Sequence, residues 1–337
     1  MRALVCLKPG ELALEDRPEP RRADGEVLVQ ILRIGICGTD YHIFEGSHPY
    51  LQYPRVMGHE LSGEVLEAPD SSELRPGQRV VINPYISCGH CIACRSGKPN
   101  CCVRIAVLGV HRDGGMCERI SLPAGNVYPA GPLSLDQAAG VEFLAIGAHS
   151  VSRSRAAPGD KALVIGAGPI GLGVAAFARI AGCEVTVMDR DAERLAFAMS
   201  TIGTAHAIMG GDTAAAAIAE LTGGDGFTMV FDATGSRSSM ETAFQYVAHG
   251  GTLTLVSVVN EQIGFSDPAF HQREMTLAGS RNALKGDFAH VVAAIADGSV
   301  PLDKLITHRT TLEEARTQLP FWTTAKRGLV KALIEVD

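Results

Sequence analysis

Cys88, Cys91, Cys94 and Cys102 fall within fifteen residues, with two residues between each of the first three and seven before the last. Four thiolates at this spacing can close a tetrahedral shell around one zinc ion, as structural zinc sites do. The residues between them, among them Gly89, Ala93, Gly97 and Pro99, are small or turn-prone, so the segment is expected to wrap an ion rather than form a helix. A disulfide cluster or redox pair is the competing reading. It would need an oxidising compartment, to which nothing in the sequence points.

A second constellation is spread more widely. Cys37-Gly38-Thr39-Asp40-Tyr41-His42 follows a strand-like run, and Gly58-His59-Glu60 precedes another. A lone cysteine is most often a small buried hydrophobe, and a lone histidine is usually a surface or hydrogen-bonded residue. Together with Glu142, however, they supply thiolate, imidazole and carboxylate, enough for a zinc ion that keeps one position open. An open zinc ion is a Lewis acid that lowers the pKa of an alcohol oxygen and so eases loss of hydride.

Gly166-Ala167-Gly168-Pro169-Ile170-Gly171 follows an apolar strand and opens a helix. The first glycine permits the tight turn, the second lets backbone approach a pyrophosphate, and the third lets helix pack on strand. Free N–H groups at the helix start then favour phosphate. Asp189 ends the next strand, 18 residues past Gly171, where an acid can accept hydrogen bonds from ribose hydroxyls and repel a 2′-phosphate. NAD is therefore expected over NADP, although Arg190 and Arg194 beside the acid weigh against that preference. The competing reading is a glycine-rich core turn without a ligand.

These groups need a scaffold, and the chain has room for one. Its 337 residues suit about two domains. Hydrophobic residues at 46% and charged residues at 20% fit a globular protein with a sizeable core. A net charge of -7 without a basic stripe argues against nucleic acid as a partner. The apolar run at the N-terminus is too short for a secretory signal. The uncharged stretch 162–178 contains Gly166, Gly168, Pro169 and Gly171, so it reads as strand-turn-helix rather than a membrane span. Nine cysteines without a signal peptide point to a reducing cytoplasm.

The first part of the chain reads as β-rich, with strand-like runs at 27–32, 61–66 and 79–82 punctuated by Gly and Pro. Beyond about Ala148 strands and helices alternate: 162–165 with a helix from Ile170, 184–188 with a helix at 192–197, then strands at 229–231 and 252–256. That rhythm predicts a parallel sheet with crossover helices. A helix at 288–292 and a final strand at 329–334 follow, the last segment expected to rejoin the first domain.

In their order, Cys37-Gly38-x-Asp40, Gly58-His59-Glu60, the four-cysteine lobe and the glycine fingerprint resemble the zinc-dependent medium-chain alcohol and polyol dehydrogenases over essentially the whole chain. Phe265-Ser266-Asp267-Pro268, Gly279-Ser280-Arg281-Asn282-Ala283 and Leu305-Ile306-Thr307-His308-Arg309 look like the bacterial sugar-acid branch, the L-galactonate and L-gulonate 5-dehydrogenases. The resemblance implies an α/β protein: a β-rich GroES-like catalytic domain (1–147 and 284–337) around an inserted Rossmann domain (148–283), with the active site in the cleft between them. It implies NAD and two zinc ions per chain. Cys37 and His59 would hold the catalytic zinc, with Glu60 as third protein ligand and Glu142 ligating directly or through water. Phe143 stands where the family usually has proline, so the loop carrying Glu142 is expected to sit differently.

The resemblance further implies that Thr39 takes the substrate proton and passes it by way of the nicotinamide ribose to His42, whose unperturbed pKa near neutrality suits a relay. Arg281 is the proposed anchor for a sugar-acid carboxylate, since a guanidinium pairs with one through two parallel bonds; pairing with an acid at the domain boundary is the alternative. Dimers or tetramers are implied, and the strand near Leu253 to Val258 is the candidate joining edge. The function so read is NAD-dependent oxidation of a small molecule, L-galactonate or L-gulonate at C5. The alternatives are a polyol or secondary-alcohol dehydrogenase (like those for sorbitol or threonine), a nucleotide-binding protein without turnover, and a metal-free quinone reductase.

Overall fold

The computed structural model describes residues 1–47, 51–325 and 327–336. The chain divides into two compact units. One takes Met1–Glu142, Leu284–Ala296 and Leu302–Asp337, and the other Phe143–Ala283 with Asp297–Pro301.

The first unit is built on a mostly antiparallel sheet in the strand order Val127–Pro129, Arg79–Ile82, Glu60–Glu67, Glu26–Ile36, Lys331–Glu335, Ile306–Thr311. Its long strand Glu26–Ile36 alternates at first, with Val27, Val29 and Ile31 buried and their neighbours half-exposed, as a one-sided strand should. The pairing with Glu60–Glu67 then slips by one residue between Ile31 and Arg33. Past this bulge Ile34, Gly35 and Ile36 are all buried, so the strand enters the core and ends with Cys37, half-buried, at its margin. The strand Lys331–Glu335, distant in sequence, pairs antiparallel with the same end of Glu26–Ile36.

A two-stranded ladder, Tyr85–Ile86 with Ala106–Val107, brackets the four cysteines. Within that bracket lies a single helical turn at Ile92–Arg95. This corrects the expectation of a helix-free segment: the backbone N–H of Arg95 donates to the Cys91 carbonyl, and one turn suffices to bring Cys91 and Cys94 together.

The second unit is a six-stranded, all-parallel sheet in the order His206–Met209, Glu184–Asp189, Lys161–Ile165, Phe227–Asp232, Val247–Leu255, Thr276–Gly279. This is the doubly wound α/β arrangement, reversing direction between its first and fourth strands in sequence order. Leu163, Val230 and Leu253 form its core. The helix Pro169–Ile180 buries Gly171 through Ala178. The region Leu253 to Val258 is not a free edge, because Val247–Leu255 is hydrogen-bonded on both sides. Thr276–Gly279, too short to stand out, takes the edge, with Leu277 40% exposed. No helix among the described residues is long and apolar enough to cross a membrane.

Candidate active site

Cys37 closes the long strand and caps the helix Gly38–Glu45 in an extended conformation. His59 immediately precedes and Glu60 begins the neighbouring strand, in which Glu60 sits directly opposite Gly35. The ladder thus carries all three to one place: one donor atom each from Cys37, His59 and Glu60 lies within 4.8 Å of the others. Gly35 makes room for this, since a Cβ there would come within 2.2 Å of Glu60 Oε2.

Asp40 fastens the two ligand-bearing segments together. Its buried carboxylate accepts the Cys37 N–H at 2.9 Å and the Gly58 N–H at 3.2 Å. Burial pushes Asp40 above the usual carboxylate range, although the His59 charge and these N–H bonds pull the other way.

The local field invites positive charge. Burial opposes a proton on His59, yet the Cys37 thiolate, Asp40 and Glu142 hold its imidazole well above its ordinary value. Lys331 is 1% exposed and Glu60 fully buried, and the Lys331 Nζ donates to both Glu60 oxygens at 2.7 and 2.8 Å and to the Ile36 carbonyl at 3.2 Å. Burial opposes the ammonium, but Glu60 and Cys37 outweigh it and raise the Lys331 pKa.

Two buried polar atoms of this site, His59 Nδ1 and Glu142 Oε2, have no hydrogen-bond partner among the described residues. Thiolate, imidazole and carboxylate in a negative pocket with orphaned donor atoms fit a divalent zinc ion.

Glu142 lies in the first turn of the helix Val141–Ser154, not on a loop as expected, with Phe143 buried behind it. It falls outside the three-residue set. Its Oε1 accepts the phenol proton of Tyr85, and burial pushes Glu142 up to about 7. Burial first, and Glu142 second, keep Tyr85 protonated well past its ordinary range. Thr39 Oγ1 lies 3.8 Å from Cys37 Sγ. His42, one turn along the same helix, is exposed, with Nδ1 3.2 Å from Ser47 Oγ.

The four lobe cysteines also converge. Cys91 Sγ is 3.4 Å from Cys94 Sγ and 3.8 Å from Cys102 Sγ. Gly89 and Gly97 adopt φ of 76° and 72°, a conformation that favours glycine. The backbone N–H of His90 pulls Cys88 down to about 5, that of Cys94 lowers Cys91, and burial pushes Cys94 up to about 11. Backbone donors aimed at clustered sulfurs fit a structural zinc ion.

In the second unit Gly166 has φ 96°. A Cβ at Gly171 would strike the Gly166 carbonyl at 1.7 Å, whereas one at Gly168 would meet nothing within 4 Å. Asp189 Oδ2 accepts the Ala167 N–H at 2.7 Å, which ties the acid to the glycine turn. Pro169 and Ile170 occupy the first turn of the helix. Arg190 is exposed, and Arg194 lies 4.0 Å from Asp191. Arg281 is exposed in the turn after Thr276–Gly279.

Sequence reasoning gave no role to three residues that shape the metal set: Asp40, quoted only as part of a motif, Tyr85 and Lys331. A lysine inside the apolar run 329–334 was a readable signal. A tyrosine three residues before a metal lobe was not.

The family described as alcohol dehydrogenase GroES-like domain matches residues 23–132, and that described as zinc-binding dehydrogenase matches residues 169–297. The chain is 41% identical, over 92% of its length and 91% of the relative's, to L-galactonate-5-dehydrogenase of Escherichia coli (strain K12). It is 34% identical to L-threonine 3-dehydrogenase of Streptomyces avermitilis over 92% of both chains. Its fold superposes with a TM-score of 0.93, at 30% identity over 99% of both chains, on the short chain alcohol dehydrogenase rspB of E. coli CFT073, solved with the cofactor NADH. A relative this similar along nearly the whole length, together with both family matches, places the chain in the zinc-type alcohol and polyol dehydrogenase family, oxidoreductases that act on CH–OH groups.

Proposed function

We propose that the chain is an NAD-dependent dehydrogenase that oxidises the C5 hydroxyl of a sugar acid, L-galactonate or L-gulonate. The observation that carries the reading is the convergent Cys37–His59–Glu60 set, with His59 and Glu60 buried and Cys37 half-buried, in a chain 41% identical to an L-galactonate-5-dehydrogenase. Cys37, His59 and Glu60 would hold one zinc ion, with Glu142 beside them, and Cys88, Cys91, Cys94 and Cys102 the other. The first ion, when bound, supplies the Lewis acidity that makes a substrate hydroxyl a better acid.

The chain's own residues do the rest. Thr39 takes the hydroxyl proton and passes it by way of the nicotinamide ribose to His42, which, exposed one turn on, reaches solvent. Asp189 receives the adenosine ribose hydroxyls and disfavours a 2′-phosphate, while Gly166, Gly168 and Gly171 with the helix start at Pro169 and Ile170 receive the pyrophosphate. Arg190 and Arg194 flank the ribose. Arg281 anchors the substrate carboxylate. The protein works in the cytoplasm as a homodimer or homotetramer, with the open edge Thr276–Gly279 as the joining strand.

The identity to a threonine dehydrogenase supports a second reading, a polyol or secondary-alcohol dehydrogenase. A panel of hexonates, polyols and threonine with NAD and NADP, read by absorbance of the reduced cofactor, separates the two. Turnover of a hexonate with NAD, with a KM that rises for acids but not polyols in Arg281→Ala, supports the first. Absence of turnover with every hexonate removes it.

A further inference from the structure

The two oxygens of Glu142 stand in unlike surroundings. Oε1 is engaged by the Tyr85 phenol. Oε2 is buried with no partner among the described residues, a cost that marks a place where a bound group can supply the missing contact. His59 is among the charges that act on Glu142, so the orphaned oxygen belongs to the surroundings of the metal set.

Tyr85 itself is firmly placed. It is buried, its N–H donates to Asn83 Oδ1 at 3.0 Å, and its carbonyl accepts from Asn126 Nδ2 at 3.2 Å. Its strand pairs with Ala106–Val107 across the base of the four-cysteine lobe.

We propose that Tyr85 is a positioning residue: by occupying Oε1 it leaves Glu142 a single oxygen for the ion held by Cys37, His59 and Glu60, so that Glu142 yields its place when substrate arrives. This rests on the metal reading given above. A carboxylate with both oxygens free would settle on the ion, since the His59 and Lys331 charges already favour its ionised form and no phenol would hold it back. Held by the phenol, it keeps a competing bond and can withdraw. The lobe's hairpin thereby sets the availability of a coordination place outside the lobe.

The test compares wild type, Tyr85→Phe, Glu142→Gln and the double variant. Each is loaded with zinc or cobalt at the Cys37 site, and release to a chelator is timed. In Tyr85→Phe the ion should leave about tenfold more slowly, the worth of one hydrogen bond to a charged group. The visible absorption of the cobalt form without substrate should shift, and KM for the alcohol should rise more than kcat falls. In Glu142→Gln release should quicken, and adding Tyr85→Phe to it should change nothing further. Unchanged release and absorption in Tyr85→Phe, or equal effects of that substitution with and without Glu142, overturn the proposal alone. A wild-type protein that holds only the lobe zinc overturns the metal reading, and this proposal with it.

Discussion

Replacing Lys331 by methionine tests the electrostatics of the metal set directly. Methionine keeps most of the stem and its volume, so packing changes little. What is lost is the ammonium that donates to Glu60 at 2.7 and 2.8 Å inside a pocket where the two residues are 1% and 0% exposed. Breaking a buried pair on one side costs about 3–5 kcal/mol, mostly as the penalty of the charge left behind. Trp322, the sole tryptophan, is buried in the first unit, so its fluorescence reports that unit selectively during urea unfolding.

With a slope of about 2 kcal/mol per molar urea, the metal-stripped variant should unfold about 1.5–2.5 M earlier than metal-stripped wild type. A zinc ion beside Glu60 replaces the missing positive charge, so added zinc should recover more midpoint in the variant than in wild type. Lys331→Met combined with Glu60→Gln should recover most of the loss without zinc, since no uncompensated charge remains. A metal-free Lys331→Met that unfolds with wild type would refute the reasoning. A loss that zinc leaves untouched would show that the ion does not feel Glu60.

Two further outcomes follow from the same geometry. Gly171→Ala, which drives a Cβ to 1.7 Å from the Gly166 carbonyl, should lower the melting temperature and abolish NADH binding, whereas Gly168→Ala, facing open space, should melt like wild type and still bind NADH more weakly in a fluorescence titration; equal melting of the two would refute this account of the turn. Asp136 bonds Arg33 at 2.8 Å and Arg309 at 2.7 Å; burial raises its pKa, but the two guanidiniums outweigh that and hold it below the usual value. Its contribution, about 1 kcal/mol for a partly exposed network, is therefore present above the ordinary aspartate range and lost as pH falls through the lowered value. Asp136→Asn should weaken the protein at neutral pH and narrow its gap from wild type in urea titrations at strongly acidic pH.

Much of the scaffold was legible because it rests on local patterns. The runs at 27–32, 61–66 and 79–82 fall inside observed strands, since alternation and β-branched residues are properties of the strand itself. The strand-turn-helix at 162–180 was equally plain, because glycine is the residue such a turn demands. Sheet order was not legible: whether Val247–Leu255 is an edge depends on where Thr276–Gly279 docks, and a run of four residues is too short to carry a sign of it. Cys37, His59 and Glu60 could be grouped from their types, but Lys331 meets Glu60 across 271 residues, a separation no periodicity records. Phe143 in the usual place of proline suggested a displaced loop at Glu142, where the chain instead begins a helix. A proline tolerates that first-turn position too, so the substitution carried less information than it promised.

The strand bearing Lys331 is made long after the one bearing Glu60. At common rates of synthesis roughly 15–55 seconds separate the two residues on the ribosome. Through that interval the emerging chain holds Glu60 without the lysine that donates to both its oxygens in the folded protein. The Glu60 carboxylate can therefore reach its buried partner only once the chain is nearly complete.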